Sequence, residues 1–424
     1  MRILVVGSGG REHALCYAFS KSLKVEKIFC ANGNAGIAEV AECVAIKPED
    51  IAALAEFAEL EKIDLTFPGG ETSLALGIVD EFEKRGLKIV GASKAAAQLE
   101  SSKAFAKDFM ARHGVPTARY INAHSAAFAA LELESGDLGD ASTPVVVKAD
   151  GLAAGKGVVV AKNRADALAA INDLASIVGA DAAEKIVLEE CLVGKEVSLL
   201  MFADGENFAL MPPVRDHKRI GESDTGPNTG GMGTITDASL LTDEQTKTII
   251  DTIIRPTLRG CVREEFPFRG IMFLGLMLTA DGPKVLEYNV RFGDPETQAI
   301  LVRLKTDLVD ICEAMLAGRL ADMKIEWEPG CTACVVLASA GYPLKPRTGD
   351  IIHGLDAARK KENVVIFHSG TARNSTGEYV TAGGRVLGVT AKGDDLFGAL
   401  KNAYGAVGEI NWEGMQYRRD IGQK

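Results

Sequence analysis

An aliphatic run, Ile3-Leu4-Val5-Val6, passes directly into Gly7-Ser8-Gly9-Gly10 and then into helical periodicity over His13–Lys21. A strand that empties through a glycine turn into a helix constrains this chain more than any other feature, because the helix returns the chain for a parallel neighbour. The alternation continues to residue 92. Candidate strands are Arg2–Val6, Lys27–Ala31, Leu65–Pro68 and Lys88–Val90, separated by helical stretches at His13–Lys21, Pro48–Leu60 and Thr72–Lys84. This predicts an open parallel α/β sheet with helices on both faces. Ligands of such sheets sit at the carboxyl ends of the strands, where Gly7–Arg11, Ala31–Gly36 and Pro68–Glu71 fall.

Beyond this unit the pattern changes twice. A helix over 101–113 is broken by Gly114-Val115-Pro116, and a second unit over 145–190 carries strands at Val145–Lys148, Gly157–Ala161 and Ile186–Glu190 with a helix at Ala165–Ala175. Residues 195–325 add more strands, a long polar loop at Arg215–Thr236, and helices at Glu244–Arg263 and Pro295–Leu304. From Trp327 the chain reads as short strands with turns, so its 424 residues suit about three domains.

Composition narrows the function. Lys and Arg total 47 and Asp and Glu 58, a formal net charge of −11. That balance argues against sequence-independent nucleic-acid binding, which needs basic surface to displace counterions. The longest apolar run near a strand, Ile271–Leu278, is far short of the ~20 residues of a membrane span. No cleavable signal pattern opens the chain. Eight scattered cysteines suit small buried thiols in a reduced cytoplasm rather than a disulfide framework. Cys331 and Cys334 form a CxxC on a candidate strand, where their thiols point to opposite faces. The 45 glycines are an excess that belongs in turns and loops, where backbone can approach a ligand.

Three stretches carry chemistry. Gly7-Ser8-Gly9-Gly10-Arg11-Glu12 is not a dinucleotide fingerprint, because Glu12 stands where GxGxxG needs its third glycine and Ala31-Asn32-Gly33 offers no ribose-binding acid. It remains a candidate anion site at a helix N-terminus. Val145-Val146-Val147-Lys148, followed by Gly151 through Gly157 with Lys156 between glycines, is not a Walker loop, since no Ser or Thr follows the lysine. It reads as a glycine-rich hairpin able to lie over a triphosphate. Glu189 and Glu190 end the strand downstream, where a carboxylate could accept from an amino group or a ribose hydroxyl. In Glu287-Tyr288-Asn289-Val290-Arg291, period two puts Glu287, Asn289 and Arg291 on one face, with Leu286, Tyr288 and Val290 on the other. A carboxylate, an amide oxygen and a guanidinium in a row suit a Mg²⁺ site completed by phosphates. Asp294-Pro295 reads as a helix N-cap with Pro at the first helical position, compatible with a catalytic role for Asp294. His217, beside Asp216, is a weak candidate base.

These residues resemble a known family. GSGGREHA at Gly7–Ala14, PGGE at Pro68–Glu71, LESSK at Leu99–Lys103, DHKR from Asp216, TGPNTGGMG from Thr225, RFGDPETQ from Arg291 and GGRVLGVT from Gly383 are similar, in order and end to end, to the phosphoribosylamine–glycine ligases of the ATP-grasp superfamily. The resemblance implies an N-terminal α/β substrate-binding domain (1–100), a two-lobed ATP-grasp region (101–325, lid lobe about 121–190) and a C-terminal mixed β-rich domain (326–424). It implies ATP-dependent joining of glycine to 5-phosphoribosylamine through glycyl phosphate, by a cytoplasmic monomer. Carried over, it puts Glu287 and Asn289 on Mg²⁺ or Mn²⁺. Lys103, Lys148, Gly151, Gly155, Lys156, Gly157, Glu189, Glu190, Leu192 and Glu196 would hold ATP, with Gly151–Gly157 as a lid. Gly9, Gly10, Pro68, Gly69, Gly70 and Glu71 would hold phosphoribosylamine. Asp216, Arg291 and Asp294 would orient glycine and the reacting amine. The chain departs from the pattern at Thr234–Asp237, at Phe273, and in having no second acidic metal ligand on Ile271–Leu278. A non-catalytic nucleotide-binding protein and an ATP-grasp ligase for a different acid are the alternatives.

Overall fold

The computed structural model describes residues 1–151, 157–179 and 184–423. Its first sheet is parallel as expected, but with a short strand at Glu42–Val44 that the sequence pattern did not show. β1 (Arg2–Gly7), β2 (Lys27–Asn32), β3 (Glu42–Val44) and β4 (Leu65–Pro68) are all parallel in the order β3-β2-β1-β4. Lys88–Val90 contributes only a bridge between Ile89 and Thr66. The expected helix over Thr72–Lys84 is two helices, Glu71–Leu76 and Ile78–Lys84. Gly77 separates them at φ 92°, a left-handed conformation that glycine adopts without steric cost.

A second sheet forms a small lobe. β5 (Tyr120–Ala123), β6 (Val145–Ala149), β7 (Val158–Ala161) and β8 (Ile186–Glu190) pair antiparallel in the order β5-β8-β6-β7. Helices Ala126–Ser135 and Arg164–Val178 accompany it, and among the described residues its core draws on none outside 121–188. Gly155 and Lys156 of the glycine-rich hairpin lie outside the described residues. The chain enters and leaves this lobe side by side, because Glu190 N donates to Arg119 O at 3.0 Å and Arg119 N donates to Glu190 Oε1 at 3.0 Å.

The third sheet is the frame of the molecule. It comprises β9 (Lys195–Asp204), β10 (Phe208–Leu210), β11 (Val214–Asp216), β14 (Gly233–Thr236), β15 (Arg269–Thr279), β16 (Gly282–Asn289), β17 (Cys331–Ala338), β18 (Val364–His368) and β21 (Arg385–Gly393). The order is β16-β15-β9-β11-β14-β17-β21-β18, with β10 on β9. Two hairpins stand apart from it: β12 (Arg219–Gly221) with β13 (Thr225–Asn228), and β19 (Thr371–Arg373) with β20 (Tyr379–Thr381).

The expectation of an irregular loop over Arg215–Thr236 is therefore corrected. β11 and β14 are interior strands, and Thr225–Asn228 is a hairpin arm despite its glycine and proline. Glycine density misled here because Gly233, at φ 157°, is extended chain packed against Cys334 O and Ile421, where a side chain would not fit. The helix expected over Glu244–Arg263 is continuous but widened to one π turn at Ile250–Ile254, just before Pro256. A proline has no N–H for the preceding turn, which a widened turn accommodates. The CxxC thiols are free, with Cys334 buried and Cys331 half-buried. Among the described residues no helix is long and apolar enough to cross a membrane.

Phe292 joins the first sheet to the third. Its ring lies 6.0 Å from Phe67 on β4 and 6.2 Å from Phe202 on β9, and it is fully buried. Phe292→Ala is expected to cost about 3–5 kcal/mol of stability, read as a lowered urea midpoint.

Candidate active site

β16 pairs antiparallel with β15, and Glu287 lies opposite Gly275. A Cβ on Gly275 would come within 3.1 Å of Glu287 Cγ, so the absent side chain makes room for the carboxylate. The register then slips, with Val285 opposite Leu276 and Leu286 left over as a bulge. The expected alternation fails at that point: Val285, not Leu286, is buried with Tyr288 and Val290, because a bulge sets two residues against one. Glu287, Asn289 and Arg291 nevertheless converge, and Arg291 Nη2 donates to Asn289 Oδ1 at 3.2 Å.

Arg291 is the most heavily engaged side chain of the site. Its Nε donates to Glu71 Oε2 at 3.1 Å, its Nη2 lies 2.7 Å from Glu100 Oε1, and its Nη1 donates to Phe292 O at 3.2 Å. Glu100 is fixed independently by Val290 N, 2.8 Å away. Burial pushes Glu100 up to about 7 against the pull of Arg291. Burial also raises Glu71, but Arg291 and Arg11 outweigh it and hold Glu71 at about 2. Any substrate group on Arg291 would have to exchange with one of these partners.

Asp294 is not the helix cap. Pro295 takes the capping position and the helix is Glu296–Leu301. The carboxylate of Asp294 turns instead to Gln298 Nε2 (2.8 Å), Arg11 N (3.3 Å) and Arg385 Nη2 (3.5 Å). Tertiary cations outcompete the local cap, and Arg385 and Arg11 hold Asp294 below its ordinary range although burial raises it. Asp216 ends β11, packed against the Gly231 backbone, where a Cβ would meet its Oδ1 at 2.8 Å and Pro295 Cδ at 2.6 Å. Asp216 Oδ1 is buried with no hydrogen-bond partner among the described residues. Burial, and then the nearby Glu296 carboxylate, push Asp216 well up.

The loops of the first sheet meet this cluster edge-on. Gly9 N donates to Glu12 Oε2 at 2.6 Å, and a Cβ on Gly69 would collide with the Glu12 carboxylate. Glu12 thus fills the space that a third fingerprint glycine would leave open. The helix N-terminus expected to receive an anion already faces two carboxylates, Glu12 on Gly9 N and Asp294 on Arg11 N. A Cβ on Gly10 would lie 2.5 Å from Gln298 Nε2 and 2.7 Å from Ser369 Oγ, so this loop is in contact with the last third of the chain. Pro68 ends β4, and Gly70, 3.1 Å from Arg11 Nη2 at its virtual Cβ, caps the helix that begins with Glu71.

The small lobe contributes a buried charge cluster. Glu189 Oε1 lies 2.7 Å from Lys148 Nζ and Glu189 Oε2 lies 2.8 Å from Lys107 Nζ. Lys148 also donates to Leu286 O at 3.1 Å. The Glu189 side chain is therefore committed inward. Glu190 pairs with Arg119 at 2.9 Å and Lys284 at 3.6 Å. Lys103 Nζ donates to Gly151 O at 3.3 Å, and burial lowers its pKa. Glu196 pairs with Lys218. Leu192 is half-buried in the segment leaving β8, and Gly157 is buried at the start of β7. Burial raises Glu287, but Lys218, Lys148, Lys103 and Arg291 together outweigh it and hold the carboxylate below its ordinary value.

The sequence reading missed Lys107, Glu100, Lys218 and Arg385 as site residues. Glu100, Lys218 and Arg385 sit inside motifs quoted above, which is the signal that could have found them. Lys107 has none, since a lysine on a helix reads as solvated.

The chain matches three domains of phosphoribosylglycinamide synthetase: the N domain over residues 1–100, the ATP-grasp (A) domain over 101–297 and the C domain over 332–424. The chain belongs to the phosphoribosylglycinamide synthetase family. Curated relatives named phosphoribosylamine–glycine ligase include those of Xanthomonas axonopodis pv. citri (47% identical, covering 100% of this chain and 97% of the relative) and Yersinia pestis (47%, 100% and 99%). The crystal structure of phosphoribosylamine–glycine ligase from Thermotoga maritima superposes with a TM-score of 0.83 at 33% identity, over 100% of both chains. A biotin carboxylase from Campylobacter jejuni shares the fold (TM-score 0.75, 17% identity, 98% and 92% covered).

Within this synthetase, His217 is a buttress rather than a base. It is buried, its Nδ1 donates to Gly233 O at 3.1 Å, and its Nε2 accepts from Gly422 N at 3.1 Å. Burial lowers it to about 4, and lowers His13 likewise to about 4. Unfolded imidazoles titrate near 6.5, so below that pH the unfolded chain binds more protons. The stability these two neutral rings contribute is complete above 6.5 and is lost as pH falls from 6.5 toward 4. ¹⁵N NMR at pH 6 is expected to find both rings neutral, with chemical stability declining across that window.

Proposed function

We propose that this chain joins glycine to 5-phosphoribosylamine as ATP is converted to ADP and phosphate, giving glycinamide ribonucleotide in purine biosynthesis. The observation that carries the reading is the convergence of Lys103, Lys148, Lys218 and Arg291, from four separate segments, around the ionised Glu287 carboxylate. Cations from several segments around one carboxylate suit a polyphosphate and its counterion. Family membership over the full chain supports the same activity.

The residues present fit a divalent cation. Glu287 is ionised, and among the described residues Asn289 Oδ1 accepts one hydrogen bond, from Arg291, which leaves a lone pair. Among the described residues no group of three or more acidic, His or Cys side chains gathers as a metal site. Two oxygen ligands completed by phosphates and water are what Mg²⁺ ordinarily takes, and Mn²⁺ suits the same donors. Glu287 and Asn289 would hold the ion, which when bound compensates charge on the polyphosphate oxygens.

The protein's own groups divide the remaining work. Lys103 and Lys148, with Gly151 and Gly157, would hold the polyphosphate, and the segment from Glu189 to Leu192 would lie along the base. The glycine carboxylate oxygen bonds to the γ-phosphorus as the bond to ADP breaks, and the protein contributes mainly alignment and charge. The amine of phosphoribosylamine, held by the Gly9-Gly10 and Pro68–Glu71 loops, then attacks the glycyl carbonyl, and phosphate leaves. Asp216 lies beside the Asp294-Pro295 turn with an unsatisfied oxygen, suited to an ammonium or amine. Arg291 would act by fixing Asn289 and Glu71. The reading takes the protein as a cytoplasmic monomer.

The test is ADP release with Mg-ATP and glycine, with and without phosphoribosylamine generated from ribose 5-phosphate and ammonia. Release is expected to need both co-substrates, with glycinamide ribonucleotide detected by mass. Glu287→Ala is expected to lose this activity while keeping the wild-type melting temperature. Full activity in that variant would overturn the metal assignment.

A further inference from the structure

Lys107 has no part in the reaction as described, yet it is one of the most buried charged groups in the protein. It lies one turn beyond Lys103 on the helix Lys103–Arg112, with its side chain 2% exposed. Its ammonium donates to Glu189 Oε2 at 2.8 Å and to Thr117 Oγ1 at 2.7 Å. Thr117 Oγ1 passes a hydrogen bond on to Val285 O at 2.7 Å, two residues before Glu287. Lys148 Nζ lies 2.7 Å from the other Glu189 oxygen, an ion pair without hydrogen-bond alignment. It is also among the cations that hold Glu287 ionised, so it stands on the phosphate side of the cluster.

One buried carboxylate thus carries two ammonium groups. A closed lysine–carboxylate pair in this position would be neutral, and drawing its lysine away would leave a buried carboxylate without a partner, which is strongly unfavourable. With two lysines the cluster has one positive charge in excess, and either lysine can leave while the carboxylate stays paired. Both lysines have a second anchor, Lys107 on Thr117 Oγ1 and Lys148 on Leu286 O, but the anchor of Lys148 lies next to Glu287, which makes Lys148 the lysine that faces the proposed phosphate site. We propose that Lys107 is a positioning residue of the nucleotide site: it keeps Glu189 paired, so that Lys148 can exchange Glu189 for the polyphosphate of ATP. The same contacts tie the end of β8, through Thr117, to the strand that bears Glu287. The inference rests on the ATP site proposed above.

The experiment is steady-state kinetics of the full chain, with KM for ATP, KM for glycine and kcat measured separately. Lys107→Met is expected to raise KM for ATP by about 10- to 100-fold, by analogy with the loss when the partner of a metal-ligating group is removed, with KM for glycine unchanged. Lys107→Arg, which keeps the charge, is expected to restore most of the loss. Lys107→Met combined with Glu189→Gln, which removes the carboxylate charge that would trap Lys148, is expected to recover part of it. A general packing defect would not be rescued in that way. Thr117→Val, which keeps the volume and loses the anchor, is expected to raise KM for ATP more modestly and serves if Lys107→Met does not fold. An unchanged KM for ATP in Lys107→Met or in Thr117→Val, or an equal loss for both substrates, would overturn the role of Lys107. Absence of co-substrate-dependent ADP release from the wild-type chain would instead overturn the ligase reading.

Discussion

A guanidinium taken out of water must bring its counter-charges with it, and Arg291 does so with carboxylates from two distant segments. Glu71 begins the helix after the fourth strand of the parallel sheet, and Glu100 sits just before the helix that carries Lys103 and Lys107. The same side chain donates to Asn289, and the backbone N–H of Val290 donates to Glu100. One cation therefore sets the relative placement of three parts of the molecule: the parallel sheet, the segment leading into the helix of Lys103, and the strand bearing Glu287. Arg11 repeats the device beside it, spanning Glu12 and Phe292 O.

The last third of the chain completes the site rather than adorning it. β17 pairs with β14, so the frame sheet continues into the segment that bears Arg385. Arg385 reaches back to the backbone of Gly230 and Asp294 and to the Asp294 carboxylate. The chain's end does the same for β11, through Gly422 on His217 and through buried Arg418, which binds Asp224, Asp420 and Arg219 O. The segments on either side of Asp216, at His217 and at Gly230, are thus held by elements far from them in sequence.

What the sequence disclosed follows from how local each signal is. The parallel sheet was legible because β1 and β2 are uninterrupted apolar runs next to glycine turns. The row at Glu287, Asn289 and Arg291 was legible because charge on alternate residues of an apolar strand has few structural explanations. The bulge at Leu286 was not, since it depends on Gly275 across the sheet. Asp294 satisfied every local rule for a helix cap and was taken by Arg385 and Arg11 instead. β14 hid among glycines whose purpose is close packing, and Lys107 hid because nothing in its own helix marks it as buried.

The small lobe is a closed loop in the chain, entered at Arg119 and left at Glu190, and those two residues are hydrogen-bonded to each other. Among the described residues its hydrophobic core recruits none from outside. Because its two ends lie side by side, a change in the length of a surface loop within it does not require the strands of the frame sheet to move. That part of the chain can accordingly drift in length over evolutionary time, while the strand bearing Glu287 is held to its register by Gly275 and Glu100.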